Sequence, residues 1–140
     1  MTTELTFIDT NILLYAYDVD AGDKHSLARE VLRHLWGQRT GALSTQVLQE
    51  FYVNATRKLR TPLDRARART VLKAYTAWPV WPITASDVLE ATRVEAAHRL
   101  SFWDALIVTA AVRSQATVLL SEDLGDGQRI EGLRVENPLK

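Results

Sequence analysis

The sequence contains no cysteine among its 140 residues, so disulfide bonds, a thiolate nucleophile and cysteine-ligated zinc are excluded. It also lacks an apolar run long enough to span a membrane. Its first residues show no basic segment followed by an apolar core, which a signal peptide would require. We therefore expect a soluble, cytoplasmic protein with no membrane partner.

The sequence has no excess of charge of either sign, because 17 Lys and Arg residues balance 17 Asp and Glu residues. Nucleic-acid-binding proteins often carry a basic excess, so neutrality argues against that class unless acids and bases are segregated in space. Hydrophobic residues make up 46% of the chain, as in ordinary globular proteins. This length and composition predict a single domain over residues 1–140.

Short apolar runs alternate with amphipathic stretches along the chain. The runs predict strands near residues 7–8, 42–44, 117–121 and 133–135. Pro79 and Pro82 bracket Val80 and Trp81, which predicts an edge strand that ends at Ile83. The amphipathic stretches predict helices at residues 24–38, 45–58, 63–78, 84–99 and 101–115. Residues 122–129 are expected to form a loop. Strands that alternate with helices predict an α/β fold with a parallel sheet covered on both faces.

Two acidic residues follow apolar strands. Asp9 comes directly after Phe7 and Ile8, and Asp123 follows the strand predicted at residues 117–121. In open α/β sheets, ligands bind in the crevice beyond the carboxyl ends of the strands, so both acids are placed for chemistry. The alternative for Asp9 is that it only caps the helix that follows.

Two further acids lie on predicted helices. Glu50 forms a polar row with Gln46 and Asn54 beside the apolar stripe of its helix, although a solvated helix face would look the same. Asp104 lies near the start of a helix that is apolar almost all round, where free amides favour an anion. Its alternative role is a helix cap, because Ser101 and Asp104 have capping-box spacing.

These four carboxylates are accompanied by no cysteine or histidine in the same motifs. Four carboxylates in one cavity repel one another unless a cation is present. Oxygen ligands suit Mg²⁺ or Mn²⁺ rather than zinc. Two such ions about 3.5–4 Å apart can activate water and stabilise the leaving oxygen when a phosphodiester is cleaved.

Asp126 precedes Gly127 and is better explained as a turn residue.

Four segments in order resemble the PIN-domain ribonucleases: Asp9-Thr10-Asn11, Gln49-Glu50-Phe51, and the segments at residues 101–107 and 120–124. The sequence is most similar to VapC-type toxins of prokaryotic toxin–antitoxin pairs, and the resemblance spans nearly the whole chain. It implies a three-layer α/β sandwich with a central parallel sheet of about five strands flanked by helices. It also implies metal-dependent endonucleolytic cleavage of RNA, with water as the nucleophile.

The resemblance further implies which residues carry the reaction and which partners the protein has. The catalytic and metal-binding acids would be Asp9, Glu50, Asp104 and Asp123, with Mg²⁺ as the cofactor and Mn²⁺ as a substitute. Asn11 and Ser121 would orient these carboxylates from behind, and Asp126 matches a more variable acidic position. The implied partners are an RNA substrate, a cognate antitoxin protein and a second copy of the chain in a homodimer.

Basic residues are concentrated between residues 57 and 73. The segment contains Arg57, Lys58, Arg60, Arg65, Arg67, Arg69 and Lys73. We interpret Arg57, Arg65, Arg67 and Arg69 as contacts to RNA phosphates. The alternative is a solvated helix face on which the arginine stems cover apolar surface. The four tryptophans, including Trp103 beside the proposed site, are expected to serve in packing.

Two other classes of protein compete with the ribonuclease interpretation. The first is a phosphatase-type α/β domain with Asp9 as the nucleophile. Haloacid-dehalogenase-like enzymes usually require a second aspartate two residues later, where this chain has Asn11. Receiver domains usually require adjacent acids on the first strand and a later lysine, and neither is found. The second competitor is a metal-free interaction module of the same fold, with Asp104 as a helix cap.

Overall fold

The computed structural model describes residues 4–140, and these residues form six strands and six helices. The expected domain span and N-terminal features include residues 1–3, which lie outside the described part. The strands are β1 (Leu5–Ile8), β2 (Gly41–Ser44), β3 (Val80–Trp81), β4 (Ala116–Leu120), β5 (Arg129–Ile130) and β6 (Leu133–Glu136). The helices are α1 (Thr10–Tyr15), α2 (Asp23–Gln38), α3 (Thr45–Arg57), α4 (Arg65–Tyr75), α5 (Ala85–His98) and α6 (Phe102–Arg113).

The strands form one sheet in the order β3-β2-β1-β4-β6-β5. The first five in this order pair in parallel, which confirms the predicted α/β class. In the central strand β1, the consecutive residues Phe7 and Ile8 are both fully buried. Because neighbouring residues of a strand point to opposite faces, both faces of the sheet are covered, as in a three-layer sandwich.

Strand β5 was not predicted from the sequence. The expected loop over residues 122–129 ends one residue too late, because Arg129 and Ile130 pair antiparallel with Arg134 and Leu133. Glu131 and Gly132, which connect the two strands, have φ angles of 51° and 86°. Two positive φ angles are characteristic of a tight hairpin turn. A strand of two residues is too short to produce a recognisable alternation in the sequence.

Helix α6 is the most deeply buried helix of the described chain. All seven residues from Ala105 to Ala111 are buried, and the helix packs on β2, β4 and α5. Its apolar composition on every side explains this position. Within residues 4–140, no helix combines the length and the apolar character needed to cross a membrane. The importance of α6 for the site is that its buried body fixes the position of its first turn, which carries Asp104.

Candidate metal centre

The parallel pairing of β1 with β4 brings together the two acid-bearing segments that follow the carboxyl ends of these strands. Ile8 lies opposite Leu120 in the register, and the Asp9 backbone N–H donates to the Leu120 carbonyl at 2.9 Å. Ser121 follows Leu120, and its hydroxyl donates to Asp9 Oδ2 at 2.8 Å. The same Ser121 oxygen accepts a hydrogen bond from the Asp123 backbone N–H at 3.1 Å. Ser121 therefore contacts both strand-end acids.

Asp9 is a helix cap as well as a buried acid. Its Oδ1 accepts from the Thr10 backbone N–H at 2.7 Å, so the alternative capping role is present in the structure. Only 5% of Asp9 is exposed. This burial raises its pKa to about 7, against the hydrogen bonds from Ser121 and Thr10, and the charges of Asp123 and Asp104 raise it further. The protein thus holds an anionic group at a desolvation cost that a bound cation would offset.

Asp104 faces the two strand-end acids from the first turn of α6. Ser101 caps this helix, since its hydroxyl accepts from the Asp104 backbone N–H at 3.1 Å. One carboxylate oxygen each from Asp9, Asp104 and Asp123 lie within 4.8 Å of one another. Partial burial raises the pKa of Asp104, Ser101 opposes this effect, and the Asp123 and Glu50 charges add to it. These three acids form what we call the acidic cluster.

Glu50 lines the same cavity but is not part of the acidic cluster. Its Oε1 accepts from the Thr10 hydroxyl at 2.6 Å, and its Oε2 accepts from Gln46 Nε2 at 3.4 Å. Asn54 Nδ2 donates to the Glu50 backbone carbonyl at 2.7 Å. The polar row of Gln46, Glu50 and Asn54 predicted from helical spacing therefore lies along one wall of the cavity.

The sequence predicted Gln46 as a member of this polar row but did not predict its own contacts in the site. It is 4% exposed, and its Nε2 also donates to the Trp103 carbonyl at 3.2 Å, which ties α3 to the start of α6. Two acceptors around Nε2 fix the orientation of the amide. Among residues 4–140, its Oε1 is the buried side-chain polar atom that has no hydrogen-bond partner. A buried acceptor of this kind calls for a donor such as an ordered water.

Asn11 orients the third acid. Its Nδ2 donates to Asp123 Oδ2 at 3.0 Å, and its Oδ1 accepts from the Glu122 backbone N–H at 3.4 Å. The Glu122 carboxylate in turn accepts from the Tyr15 hydroxyl at 2.7 Å and pairs with Lys24. The loop that carries Asp123 is therefore fastened to α1 and to the beginning of α2.

Asp126 was proposed to support the acids, and Trp103 was expected to serve in packing. Asp126 is exposed and accepts from the Asn137 backbone N–H at 2.9 Å and from Lys140 Nζ at 3.3 Å. It does not line the cavity, which agrees with its explanation as a turn residue rather than as a support of the acids. Trp103 is 61% exposed at the cavity wall, and its ring packs edge-to-face against Phe102 at a centroid distance of 5.2 Å. Its packing is therefore local, and most of the residue is exposed.

The cavity has a volume of about 310 Å³, and no lysine, arginine or histidine of the described chain lines it. The lining acids are therefore not neutralised by a neighbouring base. Three oxygen donors of one sign, converging without a cation from the protein, are the ligand set that hard divalent ions prefer. The donor set and the unpartnered Gln46 oxygen both fit a hydrated divalent ion.

The predicted RNA-binding arginines do not all line the same cavity. Arg57 and Arg65 line a cavity beside Tyr52, whereas Arg67 lines a different cavity formed mainly by α2. Residues two apart on a helix are rotated by about 200°, so Arg65 and Arg67 must point in different directions. Arg65 and Arg67 are therefore close in sequence but do not share one face of α4.

The sequence and the fold are both similar to those of known proteins. The sequence matches the family model described as PIN domain over residues 6–126. No curated protein matches it. Similar solved structures include a toxin–antitoxin complex from Klebsiella pneumoniae, with 20% identity, coverage of 95% of this chain and 97% of that chain, and a TM-score of 0.70.

Two further structures have the same overall fold. One is VapBC2 from Rickettsia felis bound to a DNA fragment from its promoter, with 19% identity, coverage of 95% and 98% of the two chains, and a TM-score of 0.65. The other is VapC20 from Mycobacterium tuberculosis, a sarcin–ricin-loop-cleaving toxin, with 19% identity, coverage of 92% and 98%, and a TM-score of 0.64. At these identities the likeness establishes the fold.

Proposed function

The chain belongs to the PIN domain family, and on that basis we propose that it is a metal-dependent endoribonuclease and the toxin of a toxin–antitoxin pair. The observation that carries the proposal is the acidic cluster, in which oxygens of Asp9, Asp104 and Asp123 lie within 4.8 Å of one another. The same acids line a cavity that offers no basic counter-charge. A nuclease of this kind needs such a site to bring a hard cation to a phosphodiester.

Asp9, Asp104 and Asp123 would hold Mg²⁺, with Mn²⁺ as a substitute, and Glu50 would complete the site directly or through water. A divalent ion bound there lowers the pKa of water and neutralises charge that develops on the scissile phosphate. The cavity contains no histidine that could act as a general acid or base. The acids are therefore the groups on which phosphodiester hydrolysis would depend.

The neighbouring polar residues hold the acids in fixed orientations. Because the Ser121 oxygen accepts from the Asp123 N–H, its own hydrogen is directed to Asp9. Asn11 fixes Asp123 through its amide, and Thr10 and Gln46 fix Glu50 from two sides. Preorganised ligands lose little freedom when they bind a cation. We propose that these four residues are positioning residues for the carboxylates.

The partner assignments follow from the relatives and are proposals for this chain. The similar structures are toxin–antitoxin proteins matched over almost their full length. A further similar structure is that of a sarcin–ricin-loop-cleaving toxin. By analogy, we propose an RNA substrate, a cognate antitoxin, a homodimer and a cytoplasmic location.

Incubation of the purified protein with total cellular RNA tests the function. New RNA ends should appear with Mg²⁺ and not with a chelator, and mapping them identifies the cleaved bonds. The matched control is Asp104→Asn, which keeps size and hydrogen-bonding capacity but removes one ligand charge. Identical end profiles for the wild type and Asp104→Asn in Mg²⁺ would contradict the proposal.

A further inference from the structure

A second cavity, of about 390 Å³, lies at the opposite end of α1 from the acidic cluster. Thr10 and Asn11, in the first turn of α1, line the cavity that contains the acidic cluster, which we call the acidic cavity. Ala16 and Tyr17, which follow the helix, line the second cavity. A helix of six residues is about 9 Å long. The two cavities are therefore close enough for one short nucleic-acid strand to enter both.

Three arginines from two helices meet in this second cavity, which we call the arginine pocket. Arg29 and Arg33 lie one turn apart on α2, and Arg67 comes from α4. None of them takes part in the seven ion pairs found among residues 4–140. No acidic residue of the described chain lines the pocket. Its positive charge is therefore available to an external anion.

Tyr17 lines the same pocket as the three arginines. Burial raises the pKa of its phenol, and the charges of Arg67 and Arg29 oppose that rise. The pocket thus combines a phenolic hydrogen-bonding group with convergent positive charge.

Aromatic surface forms the other part of the arginine pocket. Trp36 lines the pocket and also a neighbouring cavity beside Pro79, and 38% of the residue as a whole is exposed. Its ring packs against Tyr75 and Trp78 with centroid distances of 5.2 Å. A tryptophan supported on one side and exposed on the other can accept a stacked base. Guanidinium groups bind phosphate through paired N–H donors. Arginines beside a supported aromatic ring are therefore suited to a nucleotide.

We propose that the arginine pocket binds a phosphate-bearing nucleotide of the same RNA strand whose scissile bond lies in the acidic cavity. The inference rests on the proposed ribonuclease function and names where its substrate is anchored. An RNA strand needs such an anchor because the acidic cavity itself presents no positive side chain. The exposed aromatic ring distinguishes a nucleotide from a carboxylate-bearing peptide as the occupant.

The test compares two double variants with the same change in charge. The variant R29Q/R33Q removes two cations from the pocket, while R99Q/R129Q removes two exposed arginines that do not line it. Glutamine keeps the helix propensity of arginine, so α2 should persist. Affinity for a fluorescent single-stranded RNA is measured over a range of salt concentrations in chelator, so that no cleavage occurs.

R29Q/R33Q should bind RNA more weakly than the control, and the negative slope of log affinity against log salt should become shallower by about 1.4. Each single-strand phosphate contact contributes about 0.7 to that slope. Poly-glutamate serves as a second probe and should bind more weakly than RNA of equal charge. Parallel salt lines for the two double variants, or poly-glutamate binding equal to that of RNA, would overturn the proposal.

A cleavage assay separates this inference from the proposed function. If the protein is a ribonuclease, R29Q/R33Q should raise KM with little change in kcat, because Arg29 and Arg33 do not line the cavity that contains the acids. If the wild type cleaves no RNA with Mg²⁺ or Mn²⁺, the proposed function fails. The binding slopes, which are measured without metal, still decide whether the pocket binds RNA.

Discussion

The hydroxyl of Thr10 donates to Glu50 Oε1 at 2.6 Å, and this bond joins the first turn of α1 to the middle of α3. Gln46 holds the other carboxylate oxygen of Glu50. Two neutral donors therefore fix the orientation of Glu50, without a basic partner that would cancel its charge. The contact also explains why a threonine follows Asp9: its backbone N–H binds Asp9 while its side chain binds Glu50.

Thr10→Val should reduce cleavage or Mn²⁺ affinity by roughly 10- to 100-fold, the usual cost of removing a group that orients a metal ligand. Valine has the shape of threonine but lacks the hydroxyl that holds Glu50. Thr10→Ser is the matched control, because it restores the donor. Cleavage rates and Mn²⁺ titrations of the two variants check the prediction. An unchanged Thr10→Val, or a loss in Thr10→Ser as large as that in Thr10→Val, would contradict the role given to the hydroxyl.

Asp104→Asn should abolish cleavage with a small effect on folding. Ser101, and not the Asp104 carboxylate, supplies the cap of α6, so the helix should keep its first turn. Ser101→Ala should have the reverse effect, costing about 1 kcal/mol of stability while the acids remain. Thermal melts and cleavage assays on both variants separate the two roles. Unfolding of Asp104→Asn would favour a structural role for the carboxylate.

The contribution of Asp9 to the stability of the metal-free protein should decrease as pH rises from about 4 to about 7. Asp9 has an ordinary pKa of 3.8 when unfolded and a pKa of about 7 in the fold. Within this window the folded state retains a proton that the unfolded state has lost, so raising the pH favours unfolding. Asp9→Asn removes this titration, so the stability of the wild type relative to Asp9→Asn should fall as the pH rises through this window. Urea unfolding at both ends of the window measures it; identical pH profiles for the two proteins would contradict the assignment.

Mg²⁺ or Mn²⁺ should stabilise the fold, because a cation relieves the repulsion within the acidic cluster. At a hundredfold excess of metal over its dissociation constant, the gain is about 2.7 kcal/mol. Asp123→Asn should reduce this gain, whereas Asp126→Asn should not, since Asp126 does not line the cavity. Melting temperatures with and without metal check the prediction. A metal response lost equally in both variants would place the binding site elsewhere.

Much of the fold could be predicted from local patterns. Strands buried on both faces are continuous apolar runs, so β1 and β4 were identified, and with them the strand-end positions of Asp9 and Asp123. The polar row beside Glu50 follows from helical periodicity alone. The weakest point was β5, whose two residues are held by a hairpin turn rather than by a pattern of their own.

The long-range contacts of the side chains could not be predicted in this way. Thr10 and Glu50 are 40 residues apart, and only the packing of α1 on α3 brings them together. The arginines show the opposite error. Arg65 and Arg67 are close in sequence but diverge on their helix, while Arg67 joins Arg29 and Arg33 of α2. Sequence spacing defines the face of one helix, but tertiary packing decides which faces meet.

The most direct test of the central claim is a crystal structure of the protein soaked with Mn²⁺, with data collected for anomalous scattering. The metal site proposed here predicts an anomalous peak bounded by the carboxylates of Asp9, Asp104 and Asp123, which already lie within 4.8 Å of one another. The same peak should be absent from crystals of Asp104→Asn. A wild-type crystal with no peak between these three acids, or with a peak only elsewhere on the molecule, would contradict the claim.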